Sequence, residues 1–348
     1  MRMQRLPLML MMLVLAVGAI ATLPAHAAEP GVANAPVLDD RYPERRVSFP
    51  GDVVGLPDLA YASLVGYRPL ILDLYKPSKP TQPLPLVIYL HGGGWQAGHT
   101  RHSGAFEDWP GVLASIAARG YVVASVEYRL SGEAPFPAAV QDVKAAIRWL
   151  RTRARDFGID KERAVVWGGS AGGQLAALVG ATCGVGALEP AAVNQRPEPG
   201  RAGTPASQSQ TAAVAESDCV QGVVAWYGVF DFSSPRGDAE YRYLGCGPGK
   251  CSAATLASAG AITYVDAKDP PVLMIHGVDD HTVPIAQSRS YLAALRAKGV
   301  KGELVEIPGV DHSFIGESPK ATREASLRAL NQTLAFIDAT LKDGHDRR

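Results

Sequence analysis

Ala164-Val165-Val166-Trp167-Gly168-Gly169-Ser170-Ala171-Gly172-Gly173-Gln174-Leu175-Ala176-Ala177-Leu178-Val179 is the stretch that decides the fold. A short apolar run ends in a glycine pair, a serine follows, and a helix-forming stretch begins. That reads as strand, sharp turn, helix, with Ser170 at the apex. A serine hydroxyl is a weak nucleophile in water. A tight turn at a strand's end can hold it proud of the sheet on a strained backbone. Glycines flank it because a side chain there would collide with the neighbouring strand and helix. Alone, Gly168–Gly172 is equally compatible with a Gly/Ser turn of no chemical consequence, so its weight comes from its surroundings.

Further strand-like runs lie at Leu70–Tyr75, Leu86–Leu90, Tyr121–Val126, Val220–Trp226, Val272–Ile275 and Glu303–Ile307. Several are continuous apolar runs, the pattern of strands buried on both faces of a parallel sheet. Amphipathic helical stretches separate them. Ala138–Asp156 is the clearest, with Val140, Val143, Ile147 and Leu150 on one stripe; Gln287–Lys298 and Ala321–Leu341 are the others. Strands alternating with helices predict an α/β fold with one doubly wound, mostly parallel sheet and helices on both faces.

Two segments interrupt the alternation. Residues 184–217 are rich in Ala, Pro, Gly, Gln and Ser without a hydrophobic period, and are expected to form a surface loop. Residues 231–262 form a second, partly helical insertion where lid elements would sit. Both flank strand Val220–Trp226 and are expected to set substrate range.

The 348 residues are 47% hydrophobic and 20% charged with a formal charge of zero, so nothing points to nucleic acid. Arg2 and Arg5 precede an apolar run from Leu6 to Leu23, and Ala25-His26-Ala27 supplies small residues at the positions a signal peptidase reads. Residues 1–27 are therefore expected to be a signal peptide, with 28–348 an exported single domain that is not inserted in the membrane after cleavage. Export makes disulfides the default for Cys183, Cys219, Cys246 and Cys251. Of the three possible pairings, Cys183–Cys219 and Cys246–Cys251 are expected, the first stapling the ends of the long polar segment. The spacing fits no usual zinc pattern.

A hydroxyl nucleophile needs a base, an acid to orient the base, and donors for the oxyanion. His312, in Gly309-Val310-Asp311-His312-Ser313-Phe314, follows the last predicted strand and is the candidate base among eight histidines. His276 reads as structural, and His281, His99 and His102 as loop residues. Asp280 is the candidate acid, in His276-Gly277-Val278-Asp279-Asp280-His281-Thr282-Val283-Pro284. Its neighbour Asp279 is the competitor, since adjacent residues cannot both point at one imidazole; the Asp-x-x-Val-Pro register favours Asp280, which leaves Asp279 as a turn or capping residue. His91-Gly92-Gly93-Gly94-Trp95 follows strand Leu86–Leu90, and the N–H groups of Gly93, Gly94 and Ala171 are the candidate oxyanion hole. A phosphate loop would need a Lys-Ser/Thr pair or a Gly-x-Gly-x-x-Gly, and neither follows. The chain order of glycine run, Ser, Asp, His is that of α/β-hydrolases, not of chymotrypsin or subtilisin.

These segments, with Tyr128-Arg129-Leu130 and Phe136-Pro137-Ala138-Ala139-Val140-Gln141-Asp142, resemble the hormone-sensitive-lipase-like α/β-hydrolase esterases, and within them the bacterial branch similar to feruloyl and acetyl-xylan esterases. The resemblance runs from about residue 50 to 340. It implies a carboxylic-ester hydrolase with Ser170, Asp280 and His312 as triad and no metal or cofactor. The implied partner is a small-molecule or polysaccharide-linked ester; oligomeric state stays open. The chain departs from the pattern at Gly169, where many relatives carry Asp or Glu, in its short N-terminal lead-in, and in the Cys-flanked insertion. Prolyl-oligopeptidase-type peptidases share the serine turn but usually carry a propeller absent here. Arylformamidases share His-Gly-Gly-x-Trp but work in the cytosol. A non-enzymatic binding protein would typically have lost Ser, His or acid.

Overall fold

The computed structural model describes residues 45–190 and 216–341. The expected signal peptide, most of the 184–217 loop and the C-terminal end lie outside the described residues. Nine strands form one sheet: β1 (Val47–Phe49), β2 (Val53–Ala62), β3 (Leu70–Pro77), β4 (Leu84–Leu90), β5 (Val122–Val126), β6 (Ile159–Gly169), β7 (Gly222–Trp226), β8 (Val272–Gly277) and β9 (Gly302–Ile307), in the order 1-2-3-5-4-6-7-8-9. From β5 across to β9 all pairings are parallel. The first three strands pair antiparallel, β3 against both β2 and β5.

Helices cover both faces: α1 (Trp109–Ala117), α2 (Ala138–Thr152), α3 (Ala154–Phe157), α4 (Ala171–Ala181), α5 (Asp238–Leu244), α6 (Ala253–Ala259), α7 (Ala286–Ala297) and α8 (Pro319–Leu341). The two-residue period of β4 divides its side chains between them. Leu86, Ile88 and Leu90 join the core formed with α2 and α4, including Val143, Ile147, Leu175 and Leu178. Val87 and Tyr89 face the core formed with α1 and α8, among Trp109, Trp167, Trp226 and Ile337. Each such large side chain, fully buried, contributes roughly 1.5–3 kcal/mol of transfer free energy.

Several expectations need correction. β1 and β2 were not legible: β2 carries Gly55, Pro57 and Asp58, and its burial is irregular, so its apolar pattern is broken. The continuous burial of β3 comes from cover on both faces, not from parallel pairing. The stripe over Ala138–Asp156 is two helices, because Arg153 (φ −97°, ψ 15°) interrupts the ladder. α1 was missed altogether; Asp108 caps it by accepting from Gly111 N–H, and proline stands in its first turn. The strand expected from Val220 starts at Gly222. Residues 184–190 are not structureless: Gly186–Leu188 make a 3₁₀ turn that buries Leu188.

Candidate active site

Four parallel strands end at one rim of the sheet, and each releases one part of the site there, where open α/β sheets place their ligand crevice. β6 passes directly into Ser170, and α4 starts at the next residue. Ser170 has φ 56° and ψ −120°, a strained conformation for a non-glycine residue. Its N–H donates to the Trp226 carbonyl (2.9 Å) and its own carbonyl accepts from Gln174 N–H (3.0 Å), which fixes the turn from both sides. The close approach makes Gly172 obligatory: a Cβ there would lie 2.1 Å from the Leu90 carbonyl oxygen and 2.6 Å from that of His91.

β8 ends at Gly277 and leads to Asp280; β9 ends at Ile307 and leads to His312. His312 Nδ1 lies 2.8 Å from Asp280 Oδ2, and its Nε2 lies 2.9 Å from Ser170 Oγ. Three residues separated by up to 142 positions thus form one hydrogen-bonded chain. A carboxylate only accepts, so Nδ1 carries the proton and Nε2 is left to accept from the serine hydroxyl. Ser170 is partly exposed, as is His312, so the hydroxyl faces solvent at the rim.

The carboxylate of Asp280 is saturated with donors. Oδ1 accepts from Thr282 N–H (2.9 Å) and Val283 N–H (2.7 Å). Oδ2 accepts from His312 and lies 3.2 Å from His276 Nε2. Burial works against the charge, but the bonds from His276, His312 and Val283 N–H outweigh it and hold the carboxyl well below the usual range. Asp279 turns away and accepts from Gly309 N–H (2.9 Å), a turn role as expected.

His276 is more than a core histidine. It is fully buried, and Nε2 faces two acceptors, Asp280 and the Val283 carbonyl (2.8 Å), so Nε2 carries the proton and Nδ1 accepts from the Ser288 hydroxyl (2.7 Å). Its position four residues before Asp280 was the available signal. Tyr227 had none: its ring stands edge-on to His312 at 4.8 Å, and burial pushes its hydroxyl pKa up. A Cβ at Gly169 would meet the Tyr227 hydroxyl at 3.0 Å, so this tyrosine fills the space beside the serine turn.

The loop after β4 turns through three left-handed residues, Gly93 (φ 113°), Gly94 (φ 60°) and Trp95 (φ 57°). The Gly93 carbonyl accepts from Gln96 and Ala97 N–H, both 3.1 Å, and Gly92 lies against the serine turn, its Cβ position 3.4 Å from Ser170 Cβ. His91 anchors the loop. Its ring stacks on Tyr128 at 4.3 Å, Nδ1 sits 2.8 Å from the Gly92 carbonyl, and the Tyr128 hydroxyl donates to the His91 carbonyl (2.8 Å). Arg129 is clamped to Asp142 by Nε (2.8 Å) and Nη2 (2.7 Å), which joins the two remaining sequence motifs into one support.

The BD-FAE family model matches residues 72–295. The chain belongs to the BD-FAE family. The matched span takes in the glycine run, the serine turn and Asp280; His312 lies beyond it. This BD-FAE protein is 32% identical over 254 residues to esterase LipC of Mycobacterium tuberculosis, covering 70% of this chain and 57% of LipC. It therefore spans little more than half of that relative's length. Among solved structures it is similar to Thermogutta terrifontis esterase 2 phosphoramylated by tabun (TM-score 0.60, 26% identity, 84% of this chain and 96% of the other). It is also similar to a truncated carbohydrate esterase from gut microbiota (TM-score 0.59, 26% identity, 80% and 96%). The expected α/β-hydrolase fold holds for this BD-FAE protein.

Its two insertions sit differently. The 231–262 insertion borders the glycine run: a Cβ at Gly94 would touch Ala239 of α5 at 3.4 Å. Cys246 and Cys251 are bonded within it. Cys183 and Cys219, bonded as expected, lie just past the last turn of α4, a helix about 16 Å long by its eleven residues. The described ends of the 184–217 segment thus lie near the end of α4 opposite Ser170. Fully buried Lys144 joins these ends by pairing with Asp218 (2.8 Å) and donating to the Thr182 carbonyl (2.6 Å).

Proposed function

We propose that this protein is a carboxylic-ester hydrolase that works through an acyl-enzyme on Ser170. The continuous hydrogen-bonded chain from Ser170 through His312 to Asp280 is the observation that carries this reading. Ser170 Oγ attacks the ester carbonyl carbon as His312 Nε2 takes its proton; the C–O bond to the alcohol then breaks, and His312 returns the proton to the leaving oxygen. Water, deprotonated by His312, attacks the acyl carbon; the bond to Ser170 Oγ then breaks, His312 returns the proton to that oxygen, and the acid leaves. Asp280 holds the tautomer and stabilises the imidazolium. The N–H groups of Gly93, Gly94 and Ala171 bind the oxyanion. No step calls for a metal or cofactor.

The family, the esterase relatives and the phosphoramylated serine-esterase neighbour support this class of reaction. We take the substrates to be short-chain acyl or aryl esters, free or linked to polysaccharide, in keeping with the gut carbohydrate esterase. We further propose that residues 1–27 are removed as a signal peptide and that the protein is exported; the two disulfides favour an oxidising compartment. The test is hydrolysis of 4-nitrophenyl acetate, butyrate, octanoate and methyl ferulate by wild type and Ser170→Ala. Turnover by the wild type and a loss of about 10⁴-fold or more in the variant is expected; an inactive wild type or an unimpaired variant refutes the proposal.

A further inference from the structure

Gln174 is fully buried in the first turn of α4, four residues after Ser170, and its side-chain amide is spent at both ends. Oε1 accepts from the Trp95 indole Nε1–H (3.0 Å). Nε2 donates to the Ala259 carbonyl (2.9 Å) and to the Tyr243 hydroxyl (3.3 Å). These partners belong to the glycine-run loop, to the end of α6 and to α5. One side chain therefore joins the nucleophile helix, the candidate oxyanion loop and the 231–262 insertion.

Trp95 is the residue whose placement matters most. It directly follows Gly94 and sits at φ 57°, a conformation a tryptophan keeps only when its surroundings enforce it. Three contacts do so: the bond to Gln174, a stack on the Tyr243 ring at 4.4 Å, and Ser131 N–H donating to the Trp95 carbonyl (2.7 Å). Releasing the indole loosens the backbone at Trp95, directly after the Gly92–Gly93 and Gly93–Gly94 peptides that carry the Gly93 and Gly94 N–H groups, and so loosens the anchorage of those donors. The same amide would carry any shift of Tyr243 or Ala259 to that loop. An apolar side chain of equal length would fill the volume but leave the indole N–H and the Ala259 carbonyl buried without partners.

We propose that Gln174 is a positioning residue that locks the oxyanion loop to the 231–262 insertion, so that the oxyanion hole is in register only when the insertion is seated. The inference rests on the hydrolase reading above for its kinetic consequence, and on the packing alone for the coupling.

The test uses the full chain with Gln174→Met, Trp95→Phe and the double variant. Hydrogen exchange is followed by mass spectrometry in peptides covering 91–98 and 239–262, with β8 as reference, alongside 4-nitrophenyl acetate kinetics. Trp95→Phe keeps the aromatic stack and removes only the donor, so it tests the same bond if Gln174→Met folds poorly. Either single variant should speed exchange in both peptides by at least about fivefold while β8 is unchanged, as local opening confined to the coupled segments requires. The kcat should fall by about 30- to 100-fold with KM within threefold, the size expected of a misplaced catalytic group, and the double variant should be no worse than the worse single. Exchange that rises only within α4, a kcat within twofold of wild type, or losses that multiply in the double variant would overturn the proposal. Exchange decides the coupling even if the wild type hydrolyses no ester; that outcome would sink the hydrolase reading alone.

Discussion

His91 makes the stability of this protein depend on pH between about 6.5 and 4. Its ring is buried between the Tyr128 face and the glycine run, and burial pushes its pKa from an ordinary 6.5 down to about 4. In the unfolded chain the imidazole takes up a proton as pH falls through 6.5; in the folded chain it resists until about 4. Between those values the unfolded state binds more protons, so stability falls as pH falls. Each pKa unit is worth about 1.4 kcal/mol, which caps the contribution at about 3 kcal/mol, of which about 2 kcal/mol is lost between pH 7 and pH 5. His91→Asn removes the titration while keeping an amide donor for the Gly92 carbonyl. Asp269, pushed up to about 6 by burial, acts in the opposite sense: the folded chain protonates it first, so it favours folding as pH falls through 6 toward 3.8. It is common to both proteins and cancels in the comparison. Urea unfolding at pH 7, 6 and 5 should show the wild type losing about 2 kcal/mol more than His91→Asn over that range. Equal pH slopes would refute the reasoning.

The other expectations follow from contacts at the rim and at the far end of α4. Asp280→Asn offers an amide where His312 needs an acceptor, and kcat should drop about 10⁴-fold with substrate binding little changed; steady-state kinetics on a short ester checks this. Gly172→Ala drives a methyl group to 2.1 Å from the Leu90 carbonyl oxygen, and should cost more than about 3 kcal/mol in unfolding free energy, read from denaturant midpoints. Replacing Cys183 and Cys219 by Ala opens a 36-residue loop and should cost about 4 kcal/mol, yet leave kcat within about twofold because the bond lies at the end of α4 away from Ser170.

Most of the sheet was legible because its strands are short apolar runs whose length and spacing leave little choice. Leu86–Leu90 and Ala164–Trp167 appear where expected, at β4 and β6. β2 was not, because its stability is borrowed: fewer than half its residues are buried, and pairing with β3 holds Gly55, Pro57 and Asp58 in a strand that propensity disfavours. The break at Arg153 was hidden because the stripe of Val140, Val143, Ile147 and Leu150 ends before it, leaving no apolar residue to register the change. In the candidate site, Ser170, Asp280 and His312 could be named because each lies just past the end of a strand and is of a residue type the proposed chemistry needs. Gln174 and Tyr227 could not. Their importance lies in what they touch, across 69 to 85 residues for Gln174 and 85 between Tyr227 and His312, and no local pattern encodes a contact of that range. The placement of the Cys183–Cys219 bond depends in the same way on the direction of α4, which composition does not reveal.

The central claim is that Ser170 is a nucleophile made reactive by His312. Peptide mapping by mass spectrometry after brief exposure to a fluorophosphonate tests it most directly. The account predicts a single adduct on the peptide carrying Ser170, formed within minutes by the wild type and at least about a thousandfold more slowly by His312→Ala. Labelling at another serine, or equal labelling of Ser170 in both proteins, would contradict it.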